Sequence, residues 1–416
     1  MPEVQITAMT FGPYGVGRAD GKTIMVPHAV PGDRLEVVIQ SERRDYAIGQ
    51  VVRVIEAGAG RRTPPCPFLP RCGGCDWQHI EYPAQVRFKG EVIARELFRA
   101  LGVELDPATL VELADAEFGY RSRIRLKAGP GGALGFNELG TRRLVEIDRC
   151  MVAEANLAIP RALSLALGRD VEEIEVVGAG ARRVLAAFLR RPPSPVQIER
   201  ARAVLESDPG IAGIVLRSPK RRETLGDVEI EFEVETGLSL RVDADLFSQV
   251  NRVENRKLVA AVMEMAAASA GAGLLDLFCG AGNFSIPAAR RGARVMGVDA
   301  DALGIAAAAR NAERLGLAGA QFIAIKAEQV ADFLRRARYR PEAVILDPPR
   351  TGALALMEPI AALGPARVVY VSCDVATLVR DLKVLCARGY RLMRVRTFDF
   401  FPNTHHAEIV AHAVLT

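Results

Sequence analysis

A chain of 416 residues is too long for one compact core, so two or three domains are expected. Half its residues are hydrophobic and a quarter are charged, the make-up of a globular protein rather than a disordered or fibrous one. The formal charge of +4 permits a polyanionic partner without demanding one. The longest apolar run, LVAAVMEMAAASAGAGLLDLF, is broken by Glu264, glycines and Asp276, which excludes a membrane-spanning helix there. MPEVQITAMTFGPYG lacks the basic segment and apolar run of a secretory signal, so the chain is expected in the cytoplasm. Seven cysteines in that reducing compartment argue against disulfides, and the clustering of Cys66, Cys72 and Cys75 points to a metal.

In chain order, residues 1–60 read as short strands. RLEVVIQ and QVVRVIEAG alternate apolar with polar side chains, and Gly-Pro, Asp-Gly and Pro-Gly dipeptides punctuate them. So few strands close most naturally into a small β-barrel of the OB type. RRTPPCPFLPRCGGC follows, too rich in proline and glycine for a regular element. It sets out the spacing C-x5-C-x2-C, with Cys150 as the next cysteine along. Zinc favours paired short knuckles, whereas iron–sulfur sites allow one long gap and a distant ligand; spacing alone leaves both open.

Residues 81–99 have a helical pattern and are expected to pack on the C-terminal domain. Residues 61–80 and 100–242 form a mixed α+β central domain, with strands such as EIEFEVE and helices such as PVQIERARAVLES. Within it RSRIRLK alternates strictly. As a strand it sets Arg121, Arg123, Arg125 and Lys127 on one face, with Ile124 and Leu126 inward. A basic face of this kind could follow RNA phosphates; a solvated charged face explains the run equally well. Trp77, Phe400 and Phe401 are the aromatics available for base stacking.

Residues 243–416 change rhythm. LLDLF, ARVMGVD, AQFIAIKA, AVILD and RVVYVS each precede a helical stretch, which means a doubly wound parallel sheet. YRLMRVRTFDF and AEIVAHAVL end the chain as two strands with no helix between them. Five βα units closed by an antiparallel hairpin resemble the class I methyltransferase version of the Rossmann sheet. DLFCGAGNFS follows the first of these strands, with Gly280 and Gly282 for a sharp turn and Ser285 where a dinucleotide fingerprint has its third glycine. Asp299 ends the next strand, where an acid can reach ribose hydroxyls. The combination suits S-adenosylmethionine better than a dinucleotide.

AVILDPPRTG places a rigid loop at the carboxyl edge of the sheet, where ligands bind. Cys373 leaves the fifth strand of the domain at that edge and faces a helix N-terminus, whose partial positive charge favours a thiolate. Glu408, after the loop FPNTHHAE, is a candidate base. His405 and His406 would need further ligands close by to hold a metal.

Taken together, DLFCGAGNFS, DPPR, SCD-x-x-TL-x-RD and FPNTHHAE resemble the RNA uracil-C5 methyltransferase family over nearly the whole chain. The resemblance implies that the barrel is a TRAM domain and that Cys66, Cys72, Cys75 and Cys150 hold a 4Fe–4S cluster of structural role. It implies Cys373 as the nucleophile that adds to uracil C6, Glu408 as proton acceptor, and Gln249, Phe278, Asn283, Asp299 and Asp347 as contacts to S-adenosylmethionine. The expected product is 5-methyluridine in a structured RNA, 23S rRNA first and tRNA second, made by a monomer. Three positions depart from the family pattern: Asp299 replaces a usual glutamate, Asp374-Val375 a common Asn-Pro, and Asn403 a frequent histidine or glutamine. An RNA cytosine-C5 enzyme would carry a cysteine where this chain has Asp347-Pro348-Pro349. An inert cluster-bearing RNA binder would have no use for both Cys373 and Glu408.

Overall fold

The protein was analysed as a computed structural model, which describes residues 1–336 and 339–416. Strands Glu3–Met9, Tyr14–Ala19, Lys22–Pro27, Arg34–Glu42 and Tyr46–Glu56 close into a barrel in the order first, second, third, fifth, fourth. Their alternation turns Val4, Ile6, Leu35 and Val37 inward. The first two strands approach so closely that a Cβ at Gly17 would lie 2.3 Å from the Gln5 carbonyl oxygen. Arg61 ties the barrel to the segment that follows it, donating to the buried Asp33 carboxylate at 2.5 Å and to the His28 carbonyl at 2.8 Å.

The central sheet has seven strands, in the order Arg221–Gly226, Ile211–Ser218, Arg182–Leu189, Val171–Ala179, Arg123–Ala128, Leu134–Asn137, Leu144–Glu146. Its one parallel pair, Arg182–Leu189 with Ile211–Ser218, is joined through helix Pro195–Ser207. That helix starts on a capping box between Ser194 and Gln197, with proline at its first turn.

The C-terminal sheet runs Ala320–Ala324, Arg294–Asp299, Gly273–Leu277, Ala343–Leu346, Arg367–Ser372, Glu408–Leu415, Tyr390–Phe398, Val111–Glu112. Its first five strands are parallel and the terminal hairpin is antiparallel. This is the doubly wound sheet with reversed end that the sequence rhythm implies. The edge strand Val111–Glu112 was not foreseen; two residues carry no periodicity.

Helix Tyr82–Leu101 buries Val86, Ile93 and Leu97 in the same apolar cluster as Leu378, Leu382 and Leu385 of helix Val375–Ala387. Hairpin Glu229–Glu235/Leu238–Asp243 packs Ile230, Phe232, Leu240 and Val242 against Ile286, Ala307 and Ala312, and also against Val177 and Val184 of the central sheet. A boundary after residue 242 therefore cuts a packed unit: the change of rhythm marks topology, not where apolar surface is buried. No helix among the described residues is long and apolar enough to cross a membrane.

Candidate active site

Five βα units put their loops at one edge of the sheet, and the antiparallel hairpin returns the chain to it. Ser372 pairs with Ile409, so Cys373 leaves one strand where Glu408 begins its neighbour. Asp374 caps helix Val375–Ala387, accepting from the Thr377 N–H at 2.9 Å. Asp374-Val375 thus starts the helix without the proline that the family pattern has there.

Glu408 is 4 % exposed; burial, then the Asp347 charge, holds its carboxyl well above the usual carboxylate range, while Arg350 opposes them. Burial likewise pushes the Cys373 thiol up to about 11, with Glu408 and Asp347 adding to the rise and Arg350 pulling it down. Arg350 donates through Nη2 to His406 Nε2 at 3.0 Å. Burial, with His405 and Arg350 nearby, lowers His406 to about 3, so its neutral ring can accept that bond.

Beside this pair lies the glycine turn. Gly280 and Gly282 take φ of +52° and +97°, and a Cβ at Gly282 would collide with Ile286 at 2.7 Å. Phe278 also has positive φ, +64°, and its ring lines an apolar crevice with Val298, Asp299, Ile325 and Leu356. Strain at a non-glycine residue beside a crevice is a mark of a binding site. The Asp299 carboxylate accepts from the Gly280 and Asp301 N–H groups, both at 2.8 Å, and so braces the turn from the crevice wall. Asn283 exchanges hydrogen bonds with Asn255 at 2.8 and 3.0 Å, fixing the loop to helix Arg252–Met265. Gln249 is partly exposed just before that helix, and Asp347 follows strand Ala343–Leu346. Burial and the Asp299 charge raise Asp347 to about 7. These carboxyls suit a cationic ligand.

Cys66, Cys72, Cys75 and Cys150 line a single cavity of about 200 Å³. The loop is pinned by backbone: the Gly73 N–H donates to the Asn137 carbonyl at 2.9 Å, and a Cβ at Gly73 would meet that oxygen at 2.8 Å. Burial raises Cys75 to about 12, with Cys150 adding to the rise, and burial also raises Cys72 and Cys150. Thiolates there call for a cation among them. Among the described residues no three candidate ligands close around a single point. The four thiols line one cavity, a donor set that suits zinc or an iron–sulfur cluster. Gln78 Oε1, on the same cavity, is buried without a partner among the described residues.

The basic strand is only half as expected. Arg125 and Lys127 are exposed, and both pair with Glu173; Arg125 also lies over the Phe188 ring at 4.0 Å. Arg123 is 6 % exposed and spends its guanidinium on the Leu246 and Ala244 carbonyls at 2.9 and 2.7 Å, so it holds the segment before Gln249 and faces no phosphate. Arg121 points into the cysteine cavity and stacks within 5.6 Å of the Phe401 ring centre. Trp77 is 1 % and Phe400 0 % exposed, so neither can stack on a base. Phe247, overlooked in the sequence, is 70 % exposed two residues before Gln249.

The family model for tRNA (Uracil-5-)-methyltransferase matches residues 213–413. The 23S rRNA (uracil(1939)-C(5))-methyltransferase RlmD of Cronobacter sakazakii is 33 % identical, over 96 % of this chain and 93 % of that protein. Its namesake in Aeromonas salmonicida is 36 % identical, over 98 % of this chain and 95 % of that protein. The chain belongs to the RNA uracil-C5 methyltransferase family. The crystal structure of the Pyrococcus abyssi tRNA (uracil-54, C5)-methyltransferase with S-adenosyl-L-homocysteine superposes with a TM-score of 0.74 over 100 % of both chains, at 24 % identity, which establishes the shared fold.

For a uracil-C5 methyltransferase, the support beneath the site is what the motifs conceal. Loop 399–407 precedes Glu408 and is held from several sides. Lys89 donates to Asp399 at 2.6 Å and to the Phe401 carbonyl at 3.2 Å, Tyr120 to the Pro402 carbonyl at 3.0 Å, and Asn251 to the Phe400 carbonyl at 3.2 Å. Asn403 sits at φ +68°, a conformation asparagine tolerates, and its N–H donates to Gln85 Oε1 at 2.7 Å. Asp76 accepts from the His405 ring at 2.5 Å. These partners lie 149 to 329 residues away in sequence, beyond any local pattern.

Proposed function

We propose that this chain transfers a methyl group to C5 of a uridine in 23S rRNA, with Cys373 as nucleophile and Glu408 as proton acceptor. The observation that carries the reading is the strand register that brings position 373 to position 408 at the ligand edge of the sheet. S-adenosylmethionine supplies the methyl group. Gln249, Phe278, Asn283, Asp299 and Asp347 are the residues we assign to hold it, with the Phe278 crevice for its apolar part and the carboxyls for its positive charge.

Uracil C5 is too weak a nucleophile to take a methyl group unaided. The Cys373 sulfur forms a bond to C6, and the electron pair of the C5–C6 double bond moves into the ring carbonyl as an enolate. C5 then carries the nucleophilic density and bonds to the methyl carbon, whose bond to the sulfonium sulfur would break with its electron pair left on sulfur, giving S-adenosylhomocysteine. Glu408 accepts the C5 proton, the double bond returns, and the sulfur leaves as thiolate. A buried carboxyl with a raised pKa is a stronger base than a solvated one, which favours that last step. Cys373 reacts only on a base turned out of its stack, and Phe247, 70 % exposed two residues before Gln249, is an aromatic ring free to stack on RNA.

Cys66, Cys72, Cys75 and Cys150 are assigned to a 4Fe–4S cluster, supported by the shared cavity. The cluster's part is structural, since methyl transfer moves no net electron. The choice of 23S rRNA over tRNA rests on relatives of that name aligned over nearly their full length. Labelled S-adenosylmethionine, incubated with the protein and undermodified ribosomal RNA, should yield labelled 5-methyluridine in the 23S fraction. Label in tRNA alone would move the substrate, and label in 5-methylcytidine would refute the reaction.

A further inference from the structure

A line of hydrogen-bonded and stacked side chains joins the cysteine loop to the reacting pair. Asp76, adjacent to Cys75, is 8 % exposed and accepts twice from His405: from its N–H at 3.0 Å and from ring Nδ1 at 2.5 Å. The His405 ring lies against that of His406, centroids 3.9 Å apart. His406 in turn accepts from Arg350, the cation that acts on both Cys373 and Glu408. The next residue of the cysteine loop adds a second tie, since the Trp77 N–H donates to the Asn403 carbonyl at 3.0 Å.

The polar groups in this line are more than is needed to hold the loop. With Nε2 accepting from Arg350, His406 carries its proton on Nδ1, which is buried without a partner among the described residues. An unpaired buried donor is a cost that the fold bears to keep Nε2 aimed at the guanidinium. Arg350 itself is exposed, on a long stem with many rotamers. Its effect on the sulfur depends on one of them being kept.

We propose that Asp76 and His405 are positioning residues, which through His406 fix Arg350 beside Cys373 and Glu408 and so let the cysteine loop set the geometry of the reaction centre. Neither residue touches the uracil in this scheme. The inference rests on the uracil-methylation reading above. It gives the cysteine loop a consequence for chemistry without any electron transfer.

The test uses the full chain, purified anaerobically, and RNA carrying 5-fluorouridine, which stops the reaction at the covalent adduct. Adduct formation, RNA affinity, iron content and visible absorbance are measured for wild type, Asp76→Ala, His405→Ala and Asp76→Asn. Both alanine variants should keep their iron and their RNA affinity while forming adduct more slowly by on the order of 10²-fold, the usual consequence of a misplaced reacting group. Asp76→Asn, which still accepts from the His405 N–H, should recover part of the rate. Wild-type rates in both alanine variants overturn the proposal. So does a slow rate accompanied by lost iron in both, which would reduce Asp76 to a support for the thiols. A wild-type enzyme that forms no adduct removes the reaction itself, and the positioning role with it.

Discussion

Ser372 and Ile409 share the last rung between strands Arg367–Ser372 and Glu408–Leu415, so the sulfur at 373 and the carboxyl at 408 are consecutive features of one sheet edge. Their two roles separate by mutation. Cys373→Ala should form no adduct with 5-fluorouridine RNA on a denaturing gel. Glu408→Gln should form the adduct on ordinary uridine RNA, methylate it and fail to release it. An adduct in Cys373→Ala would pass the nucleophile's role to Cys279 or Cys386, and normal turnover in Glu408→Gln would remove the base.

Arg350 is the positive charge that lowers the Cys373 thiol, and it does so against burial and three carboxyls, those of Glu408, Asp347 and Asp374. With the thiol held near 11, the thiolate fraction rises with pH throughout the neutral range, and the rate of adduct formation should rise with it. Arg350→Gln moves the thiol further up. Each further unit removes about tenfold of the thiolate at neutral pH. A stopped-flow profile of adduct formation should therefore show a lower rate and a limb displaced to higher pH. A profile that superposes on wild type would mean the guanidinium has no part in activating the sulfur.

What the sequence made legible is what recurs locally: the strand–helix rhythm, the glycine turn at 280–282 and the residues that leave strands at the ligand edge. RSRIRLK shows where local pattern stops. Alternation placed its charges on one face, but only tertiary packing decides that Arg123 lies beneath residues 244–246 and Arg121 beside the cysteines. Trp77 reads as an available aromatic, yet its indole N–H is buried and donates to the Gly12 carbonyl at 3.3 Å. The Asp76–His405 bond joins residues 329 apart, and no motif spans that distance.

Lys89 and Asp399 form a second such long-range contact, with side chains 1 % and 0 % exposed. Removing one partner leaves the other charge buried and uncompensated. Lys89→Met should cost about 3–5 kcal/mol in urea unfolding, and Lys89→Met combined with Asp399→Leu should regain much of the loss. The single variant should also slow methyl transfer, because the Phe401 carbonyl loses its donor and Glu408 begins the strand that this loop leads into. A single variant as stable as wild type would show that the Lys89–Asp399 pair contributes nothing to stability.

Asp276 links stability to pH. It is 0 % exposed on strand Gly273–Leu277 and accepts from the Ser285 hydroxyl at 2.5 Å, while its Oδ1 has no partner among the described residues. Burial raises its carboxyl from 3.8 to about 7; the Ser285 bond opposes this, and the Asp347 and Asp299 charges add to it. The folded value therefore exceeds the unfolded one. Its contribution is fully present below about pH 4 and is lost as pH rises through about 7. The thermal midpoint of the ligand-free protein should thus fall from weakly acid to weakly alkaline pH. Asp276→Asn should remove this carboxyl's share of the slope. The difference between the two proteins isolates Asp276 from Asp347, which also titrates near 7. Parallel pH profiles for the two proteins would show that Asp276 keeps an ordinary pKa.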